Sequence, residues 1–348
     1  MAQMLIYLHT FTMKRSILLP LIAVVLFPGS FVYVRRPAPS ASVAFCGPGD
    51  KGVEEVRTLF PSEWGIPYPA GLAYFNTHDH LALLAKSSSV QGPVDGSTIV
   101  LITPYEDLVA TVNLAFAVDD AINIAYDDGR DHLLLLNRER AEVARVVVGE
   151  NGIPDPDTLA RFDVEHLGLH NAAGMSVDLA HRRLLILDSD ALQVVSADID
   201  HEFAPISTVD LASLGAADLR GIAVHATSHN LFVLSPSTEK LFELTGTGQF
   251  VNAYDLAALD LVDPRGLAFG PSADRTDGPD TVHLFLADSN LPEGGFAQRD
   301  GVAGIDRVYL PLLGRLIGNF LLERQMRLAP ANAGQVFGRI LEVAIEPP

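Results

Sequence analysis

The chain has few cysteines, few aromatic residues and few positive charges. Its 348 residues include a single cysteine, Cys46, and aromatic residues make up 7% of the composition. One cysteine excludes an intrachain disulfide bond in any compartment. Hydrophobic residues nevertheless reach 48%, so the core has to be built mainly from Leu, Val, Ile and Ala side chains.

Acidic residues outnumber basic ones by 43 to 24. Residues 1–36 contain four of the basic residues and no acid, which leaves the rest of the chain with a net charge of about −23. Nucleic-acid binding depends on neutralising phosphate charges, so this composition excludes a nucleic acid as the partner. The same acidity favours solubility and could concentrate cations in a cleft.

Two common signatures of hydrolases are also absent. The sequence contains no G-x-S-x-G nucleophile motif and no H-E-x-x-H zinc motif. Ser176 follows Gly174 closely, but this segment is a predicted strand and lacks the second glycine. A catalytic function would therefore need another arrangement of side chains.

A short segment recurs about every 45 to 53 residues. Each copy begins with Gly or Ala, followed by an apolar, a small and an apolar residue, and the copies start at Gly71, Ala121, Gly174, Gly221 and Gly266. A second apolar run follows each start, at residues 80–85, 132–137, 183–188, 230–235 and 283–288. Repeats of this length with several strands each predict stacked sheet units.

Further strands complete these units. In the third copy, runs at 191–196 and 204–211 follow the first two strands, with turn residues between them. This order gives four strands per unit. Four-stranded antiparallel sheets arranged radially form a β-propeller. The sequence therefore predicts an all-β fold, a β-propeller of four-stranded blades.

The two ends of the chain are predicted to share the last blade. The copy at Gly266 finds its third strand only at 338–345, and an unassigned strand at 54–60 precedes the first copy. Pairing between these strands would close the ring. Five blades are clear from the repeats, and a sixth could lie within residues 291–337, although no repeat start occurs there.

Residues 1–36 form a predicted signal peptide or signal anchor. An apolar run from Ser16 to Val34 is flanked by basic residues on both sides. Pro28–Ser30 divides this run, so cleavage of a leader and retention of an anchor both remain open, as do Met1 and Met13 as the true start. We expect the protein outside the cytoplasm, in the periplasm or at the cell surface, anchored or secreted.

The remaining sequence divides into a tether and one domain. Residues 37–53 are rich in Pro, Ala, Ser and Gly and predict a flexible tether. Residues 54–348 have the length of one propeller domain. The insert at 291–337 is locally basic, and its part from 308 to 328 is predicted to be helical. This helix could lie on an anionic membrane, dock a partner, or pack on the propeller as a lid.

The repeat starts resemble those of a known group of propellers. Residues 263–271 read Asp-Pro-Arg-Gly-Leu-Ala-Phe-Gly-Pro, and the runs 283–290 and 338–343 follow. This pattern resembles NHL-repeat and related TolB-like β-propellers, and the starts at 69–74 and 218–224 look similar. The resemblance covers about residues 54–348. It implies the fold but no single activity, because this architecture serves binding modules, lyases, lactonases and scaffolds.

In propellers of this type, the loop before each innermost strand faces the central channel, so equivalent positions form a ring. The polar residues at these positions are Asp119, Asp120, Asn171, Asp218 and Asp263, while the first blade contributes Pro69. Oxygen atoms of Asn171, Asp218 and Asp263 could hold Ca²⁺. By resemblance to lactonase-type propellers, such an ion would polarise a carbonyl and activate water. Alternatively, Asp or Asn before a tight turn accepts backbone hydrogen bonds and fixes the loop.

Two arginines and a histidine belong to the same predicted ring. Arg220 and Arg265 directly precede repeat glycines and would lie near the aspartates. A mixture of Asp and Arg suits a polar or anionic ligand, or salt bridges between blades, better than an acidic cation cage. His170 would stand at the channel mouth as a candidate catalytic base. Two functions remain open: a module that binds a polar ligand or a protein partner, and a metal-assisted hydrolase or lyase.

Overall fold

The computed structural model describes residues 51–85, 96–117, 124–274, 276–278, 280–289 and 338–345. Within these ranges the protein consists of twenty β-strands and six short 3-10 helices. The 3-10 helices are Pro61–Trp64, Pro156–Thr158, Glu165–Leu167, Ala212–Leu214, Pro236–Thr238 and Ala257–Leu259. The predicted all-β architecture is confirmed.

The strands form five blades of four antiparallel strands, and a short parallel pairing at Lys51 and Gly52 joins the fourth and fifth blades into one eight-stranded sheet. The first blade contains β2 (Pro69–Phe75), β3 (His80–Ala85), β4 (Ser97–Ile102) and β5 (Leu108–Leu114). The second contains β6 (Ile124–Asp127), β7 (His132–Asn137), β8 (Glu142–Val147) and β9 (Ala160–Asp163). The third contains β10 (Ala172–Asp178), β11 (Arg183–Asp188), β12 (Gln193–Asp198) and β13 (Ala204–Asp210). The fourth contains β14 (Arg220–Val224), β15 (Leu231–Ser235), β16 (Lys240–Leu244) and β17 (Phe250–Asp255).

The fifth blade joins the two ends of the chain. It contains β18 (Pro264–Pro271), β19 (Val282–Asp288), β20 (Arg339–Ile345) and, as its outermost strand, β1 (Lys51–Leu59). β1 pairs antiparallel with β20, with Val53 opposite Ile345 and Leu59 opposite Ile340. The predicted closure is confirmed. Because β1 begins at Lys51, the last three residues of the predicted tether belong to the sheet.

The innermost strands of the five blades contact one another in a closed cycle. β2 contacts β6, β6 contacts β10, β10 contacts β14, β14 contacts β18, and β18 contacts β2. A sixth blade between the fifth and the first would separate β18 from β2. The ring therefore closes with five blades, and the residues 291–337 considered for a sixth lie outside the described ranges.

Glycine opens the repeats because neighbouring innermost strands approach closely at this point. A Cβ atom at Gly174 would lie 2.9 Å from the Cα atom of Gly221, and a Cβ atom at Gly221 would overlap the carbonyl oxygen of Arg265. One at Gly266 would overlap the carbonyl oxygen of Ala70 in the first blade. Only glycine permits such backbone contact without displacement. The repeated glycines thus bring the blades together around the axis.

The core consists of five apolar layers, one between each pair of adjacent blades. Side chains of a strand alternate between its two faces. On β7, Leu133 and Leu135 pack toward the first blade, whereas Leu134 and Leu136 pack toward the third. Both faces of a middle strand are therefore buried, which explains why these strands are continuous apolar runs.

None of the helices in the described part of the chain has the length and apolar character needed to cross a membrane. The predicted leader at 1–36 and the predicted helix at 308–328 lie outside the described residues.

We expect Gly221→Ala to destabilise the ring far more than Gly168→Ala. Both glycines have φ of +62°, but nothing lies within 4 Å of a Cβ atom at Gly168. Gly168→Ala should cost about 1 kcal/mol of unfolding free energy from backbone strain alone, and Gly221→Ala about 3 kcal/mol or more. Urea denaturation measures both. If the two variants lose the same unfolding free energy, the close approach of the innermost strands at Gly221 does not contribute to stability.

Candidate functional site

The two faces of the disc carry different connections. The strand-start face holds the loops before the innermost strands, represented by Asn171, Asp218 and Asp263, together with the hairpins that join second and third strands. The strand-end face holds the hairpins after the innermost strands, at 76–79 and 128–131, for example. The predicted ring belongs to the strand-start face. Its members Asp119 and Asp120 lie outside the described residues.

Buried polar residues at the ends of the second strands fix the strand-start loops. Asp188 accepts hydrogen bonds from the backbone N–H groups of His170, Asn171 and Ala191 at 2.9, 3.1 and 3.3 Å. In the fifth blade, Asp288 accepts one from the Asp263 N–H at 2.8 Å. These side chains satisfy backbone donors that the loops would otherwise leave buried and unpaired. They cap the loops rather than face a ligand.

Asp218 also has a capping role. Its Oδ1 atom accepts hydrogen bonds from the hydroxyl groups of Ser235 and Ser237 at 3.0 and 2.6 Å, and its Oδ2 atom accepts one from the Ser237 N–H at 2.7 Å. Both carboxylate oxygens are therefore engaged with the hairpin of the same blade. This geometry matches the alternative expectation of a turn cap.

Asp263 lies between two arginines from adjacent blades. Arg220 of the fourth blade donates to its Oδ1 at 2.8 Å, and Arg265 of the fifth donates to its Oδ2 at 2.9 Å. The carboxylate is 4% exposed, so this pairing is nearly shielded from water. The structure brings these three predicted residues together as an ion cluster that links the two blades.

Asn171 and His170 lie in the third blade. The Asn171 amide donates to Asp190 at 2.8 Å and accepts from Arg138 of the second blade. The His170 side chain is 70% exposed, and its Nδ1 atom is 3.4 Å from the Asp188 carboxylate. His170 is thus near a carboxylate, as a catalytic base would require, but it lies on the outer surface of this face.

The predicted Ca²⁺ ligands are already engaged within the protein, and the arginines that bind Asp263 and Asn171 oppose a further cation there. Asp218 and Asp263 use both carboxylate oxygens for hydrogen bonds within the protein. Within the described ranges, no group of three or more His, Cys, Asp or Glu side chains is placed to hold a metal ion. Calcium needs six to eight oxygen ligands. The Ca²⁺ site stays a prediction, and the geometry favours the structural alternative.

A cavity of about 400 Å³ opens along the axis toward the opposite, strand-end face. All five innermost strands line it, with apolar walls that include Leu72, Met175, Leu267 and Phe269. None of the predicted ring residues in the described part of the chain lines this cavity. The axial space therefore lies at the other end of the innermost strands from the predicted site.

Two tyrosine–aspartate pairs mark the rim of this central cavity. Tyr74 donates its hydroxyl hydrogen to Asp79, and Tyr126 donates to Oδ1 of Asp131 at 2.7 Å. Burial and these hydrogen bonds raise the pKa of both tyrosines well above the usual value, so the hydroxyl groups stay protonated. The pairs fix the Tyr74 ring between the fifth and first blades and the Tyr126 ring between the first and second blades.

Asp128 lies on the same rim, where Asn76 and Thr77 of the first blade donate to its carboxyl group. Burial raises the pKa of its carboxyl group, although hydrogen bonds from Asn76 and from the backbone and hydroxyl of Thr77 act in the opposite direction. A carboxyl group in a cleft with such a shifted pKa is a candidate functional group. Asp128 therefore places a hydrogen-bond acceptor at the rim of the central cavity.

Asp178 contributes a second carboxylate to the cavity wall. Burial raises the pKa of this group, but hydrogen bonds from His181 at 2.8 Å and Arg183 at 2.9 Å outweigh burial and hold the pKa below its usual value. Asp178 therefore stays ionised. Arg183 balances its charge, so the acidic groups that make the cavity favour hydrogen-bond donors over anions are Asp128 and Asp79.

Sequence reasoning missed these rim residues, although the sequence contains a signal for them. In the first repeat Tyr74 ends the repeat start, in the second Tyr126 lies two residues beyond it, and in both an aspartate follows five positions later, at Asp79 and Asp131. The other three repeats lack this pairing. The signal is weak because it occurs in only two of the five repeats.

Comparisons with known proteins bear on the fold. No protein-family model and no curated protein matches the sequence. Among solved structures, the chain is similar to the glutaminyl cyclase of Myxococcus xanthus, with 15% identity, a TM-score of 0.50, and coverage of 71% of this chain and 95% of the other. It is also similar to virginiamycin B lyase from Staphylococcus aureus (10% identity, TM-score 0.37, coverage 66% and 80%). A luciferin-regenerating enzyme is similar as well (10% identity, TM-score 0.44, coverage 84% and 94%). At these identities the likeness shows the β-propeller fold alone.

Asp263→Ala should destabilise the protein without any dependence on calcium. The change leaves the guanidinium groups of Arg220 and Arg265 without their shared carboxylate, at a cost of about 2–4 kcal/mol of unfolding free energy. Thermal denaturation with EDTA and with added Ca²⁺ should give the same Tm for each protein. If Ca²⁺ raises the Tm of the wild type but not of the variant, Asp263 is a metal ligand.

The capping role of Asp188 predicts a defined pH dependence. Its pKa is lowered because hydrogen bonds from the His170, Ala191 and Asn171 N–H groups outweigh the opposing effect of burial. Its stabilisation is present above the unfolded-state pKa of about 4 and is lost as the pH falls through the lower folded-state value. In urea denaturation, Asp188→Asn should be less stable than the wild type at pH 7, and the gap should narrow toward pH 3. If the difference in unfolding free energy between wild type and variant stays constant with pH, Asp188 does not have this capping role.

Proposed function

We propose that the protein is a β-propeller binding module that takes a small ligand into the central cavity from the strand-end face. The observation that carries this proposal is the cavity itself, which is about 400 Å³ in volume and is lined by all five innermost strands. A concave, largely apolar site with a few polar groups is the usual form of a small-molecule site. Its size suits a ligand of one or two rings.

The lining indicates the chemical class of this ligand. Leu72, Met175 and Leu267 supply apolar contacts, and the carboxyl groups of Asp128 and Asp79 belong to the same lining. Carboxylates accept hydrogen bonds and repel anions. The proposed ligand therefore has an apolar part and a hydroxyl or amine donor, and it is not an anion.

The strand-start ring supports this choice of face. Asn171, Asp218, Arg220, Asp263 and Arg265 are engaged in contacts that fix loops and link blades. A polar ligand or a protein partner at that face would have to compete with these contacts. The ring therefore serves mainly to hold the blades that surround the cavity.

The alternative function is a metal-assisted hydrolase or lyase with Asn171, Asp218 and Asp263 as ligands and His170 as base. Similar folds include enzymes, namely a glutaminyl cyclase and a virginiamycin B lyase. The engaged oxygen atoms of Asp218 and Asp263 favour binding over this chemistry. The test is the metal content of full-length protein purified without chelator. Stoichiometric Ca²⁺ that EDTA removes would favour the hydrolase or lyase instead.

We also propose that the chain is a divergent member of the NHL-repeat and TolB-like group and acts outside the cytoplasm. The repeat starts at Gly221 and Gly266 support the first point. The apolar run in residues 1–36, with its flanking basic residues, supports export and attachment to a membrane. The basic insert at 308–328 is a candidate for a second membrane or partner contact.

Ligand-observed NMR with three matched probes tests the central cavity. Benzyl alcohol and benzylamine share an apolar ring with benzoate but carry a donor group in place of an anion. We expect saturation-transfer signals for the alcohol and the amine, and about tenfold weaker binding of benzoate, because the rim is acidic. Ala180→Trp places a large ring at the exposed mouth of the cavity and should abolish these signals.

Ala217→Trp is the matched control, because Ala217 is exposed on the strand-start face. This variant should bind the alcohol and the amine as the wild type does. Equal binding of benzoate, or signals that persist in Ala180→Trp, would contradict a ligand in the central cavity.

A further inference from the structure

A second cavity, of about 750 Å³, lies between the fourth and fifth blades on the strand-end face. Its walls come from β15, β16 and β17 of the fourth blade and from β1, β18, β19 and β20 of the fifth. Phe269, Thr281 and Val282 line both this interblade cavity and the central one. The two spaces are therefore neighbours with different linings.

Aromatic rings form much of the interblade cavity wall. Phe232 and Phe269 pack edge to face, with ring centroids 5.0 Å apart at 76°, and His225 packs against Phe269 at 5.0 Å and 84°. Tyr254 lies 6.1 Å from Phe232. In a chain with 7% aromatic residues, this concentration is unusual. Rings at steep angles to one another form a concave wall of π surface.

A buried carboxylate lies within this aromatic wall. Glu243 is 1% exposed and lines the cavity, and its two oxygens accept hydrogen bonds from Asn230 at 2.6 Å and from the Tyr254 hydroxyl at 2.9 Å. Both donors are neutral, and Glu243 forms no ion pair with any described residue. A carboxylate accepts about four hydrogen bonds, so capacity remains on each oxygen.

Such a carboxylate is costly unless something in the cavity balances its charge. A buried charge without a partner of opposite sign is strongly destabilising. The neighbouring groups do not supply that partner: no Lys or Arg is among the described residues that line the cavity, and Glu54 and Asp280 add further negative charge at its edge. The surrounding potential favours a cation.

The two titratable neighbours of Glu243 in the cavity wall are Tyr254 and His225. Burial, and then the hydrogen bond to Glu243, raise the pKa of Tyr254 to about 12, so the phenol remains a donor. Burial lowers the pKa of His225. The Nδ1 atom of His225 accepts a hydrogen bond from the Ser228 N–H at 3.2 Å, which requires an unprotonated nitrogen. A neutral His225 offers a ring without a competing charge.

We propose that the interblade cavity is a binding site for an alkylated ammonium ion, whose charge is met by Glu243 and by the π faces of Phe232, Tyr254 and Phe269. Aromatic walls attract quaternary ammonium groups through cation–π interactions, which strengthen when the cation is desolvated. A metal ion fits this site poorly, because a single buried carboxylate among rings provides too few oxygen ligands.

Isothermal titration of the full-length protein with choline and with 3,3-dimethylbutan-1-ol, its neutral isostere, tests the proposal. Both titrations use the same ionic strength. We expect saturable binding of choline and about tenfold weaker binding of the neutral isostere. Absence of saturable choline binding at millimolar concentrations, or equal affinity for the two probes, would overturn the proposal. This comparison needs only the wild-type protein.

Variants then locate the site. Glu243→Gln removes the charge but keeps the shape: its carbonyl oxygen can accept the Asn230 hydrogen bond, and its amide N–H can donate to the Tyr254 hydroxyl oxygen. It should weaken choline binding about tenfold and abolish discrimination against the isostere. Phe232→Leu removes one π face and should weaken choline more than the isostere. Glu150→Gln, at an exposed position in the second blade, removes the same charge elsewhere and should bind choline normally.

Asp128→Asn separates this proposal from the proposed function, because Asp128 lines only the central cavity. The variant should retain wild-type affinity for choline. If Asp128→Asn loses choline binding and Glu243→Gln keeps it, the cation occupies the central cavity, which overturns the interblade site and leaves the central ligand site standing.

Discussion

The pairing of β1 with β20 is the contact on which the ring depends. It places the first described strand of the chain at the edge of the last blade, where Arg57 also donates to the buried Glu342 at 2.5 Å. Without this strand, β20 would be an open edge and the fifth blade would lose its outer layer. Strand hydrogen bonds are numerous and cooperative, so they close the circle where no disulfide can form. The axial space exists because five blades are held at fixed angles around it.

The closed ring has two unequal ends. At the strand-start end, Gly174, Gly221 and Gly266 bring backbones into contact, and Asp263 with its two arginines links the fourth and fifth blades. Toward the strand-end face, the same strands carry larger side chains, and these line the central cavity. One end thus provides rigidity, and the other provides space for a ligand. This division follows from where the repeat places its glycine.

The sequence predicted the fold in detail because repetition and alternation are local properties. The runs at 80–85, 132–137 and 183–188 have these same bounds as β3, β7 and β11, since continuous apolar residues mark strands buried on both faces. Closure was predictable because one strand was missing from the last repeat and one was left over before the first. The count of five required the observed contact between β18 and β2.

The sites were harder to predict because they depend on side chains far apart in the sequence. The sequence predicts Asp218 and Asp263 as metal ligands, but in the structure their oxygens accept hydrogen bonds from Ser237 and Arg220. Glu243 was visible as a single charge in the otherwise apolar run Leu241–Leu244. Only the fold shows that aromatic rings from β15, β17 and β18 surround this charge.

The shared last blade also constrains how the protein reaches its native state. The partners Arg57 and Glu342 are 285 positions apart, so the first strand is synthesised long before its neighbour exists. Each of the first four blades is built from strands that are neighbours in sequence and can form in order as the chain grows, whereas the fifth has to wait for the C-terminal strand. Until then, the edge of β1 that pairs with β20 is open to incorrect partners, and ring closure is the expected slow, final step of folding.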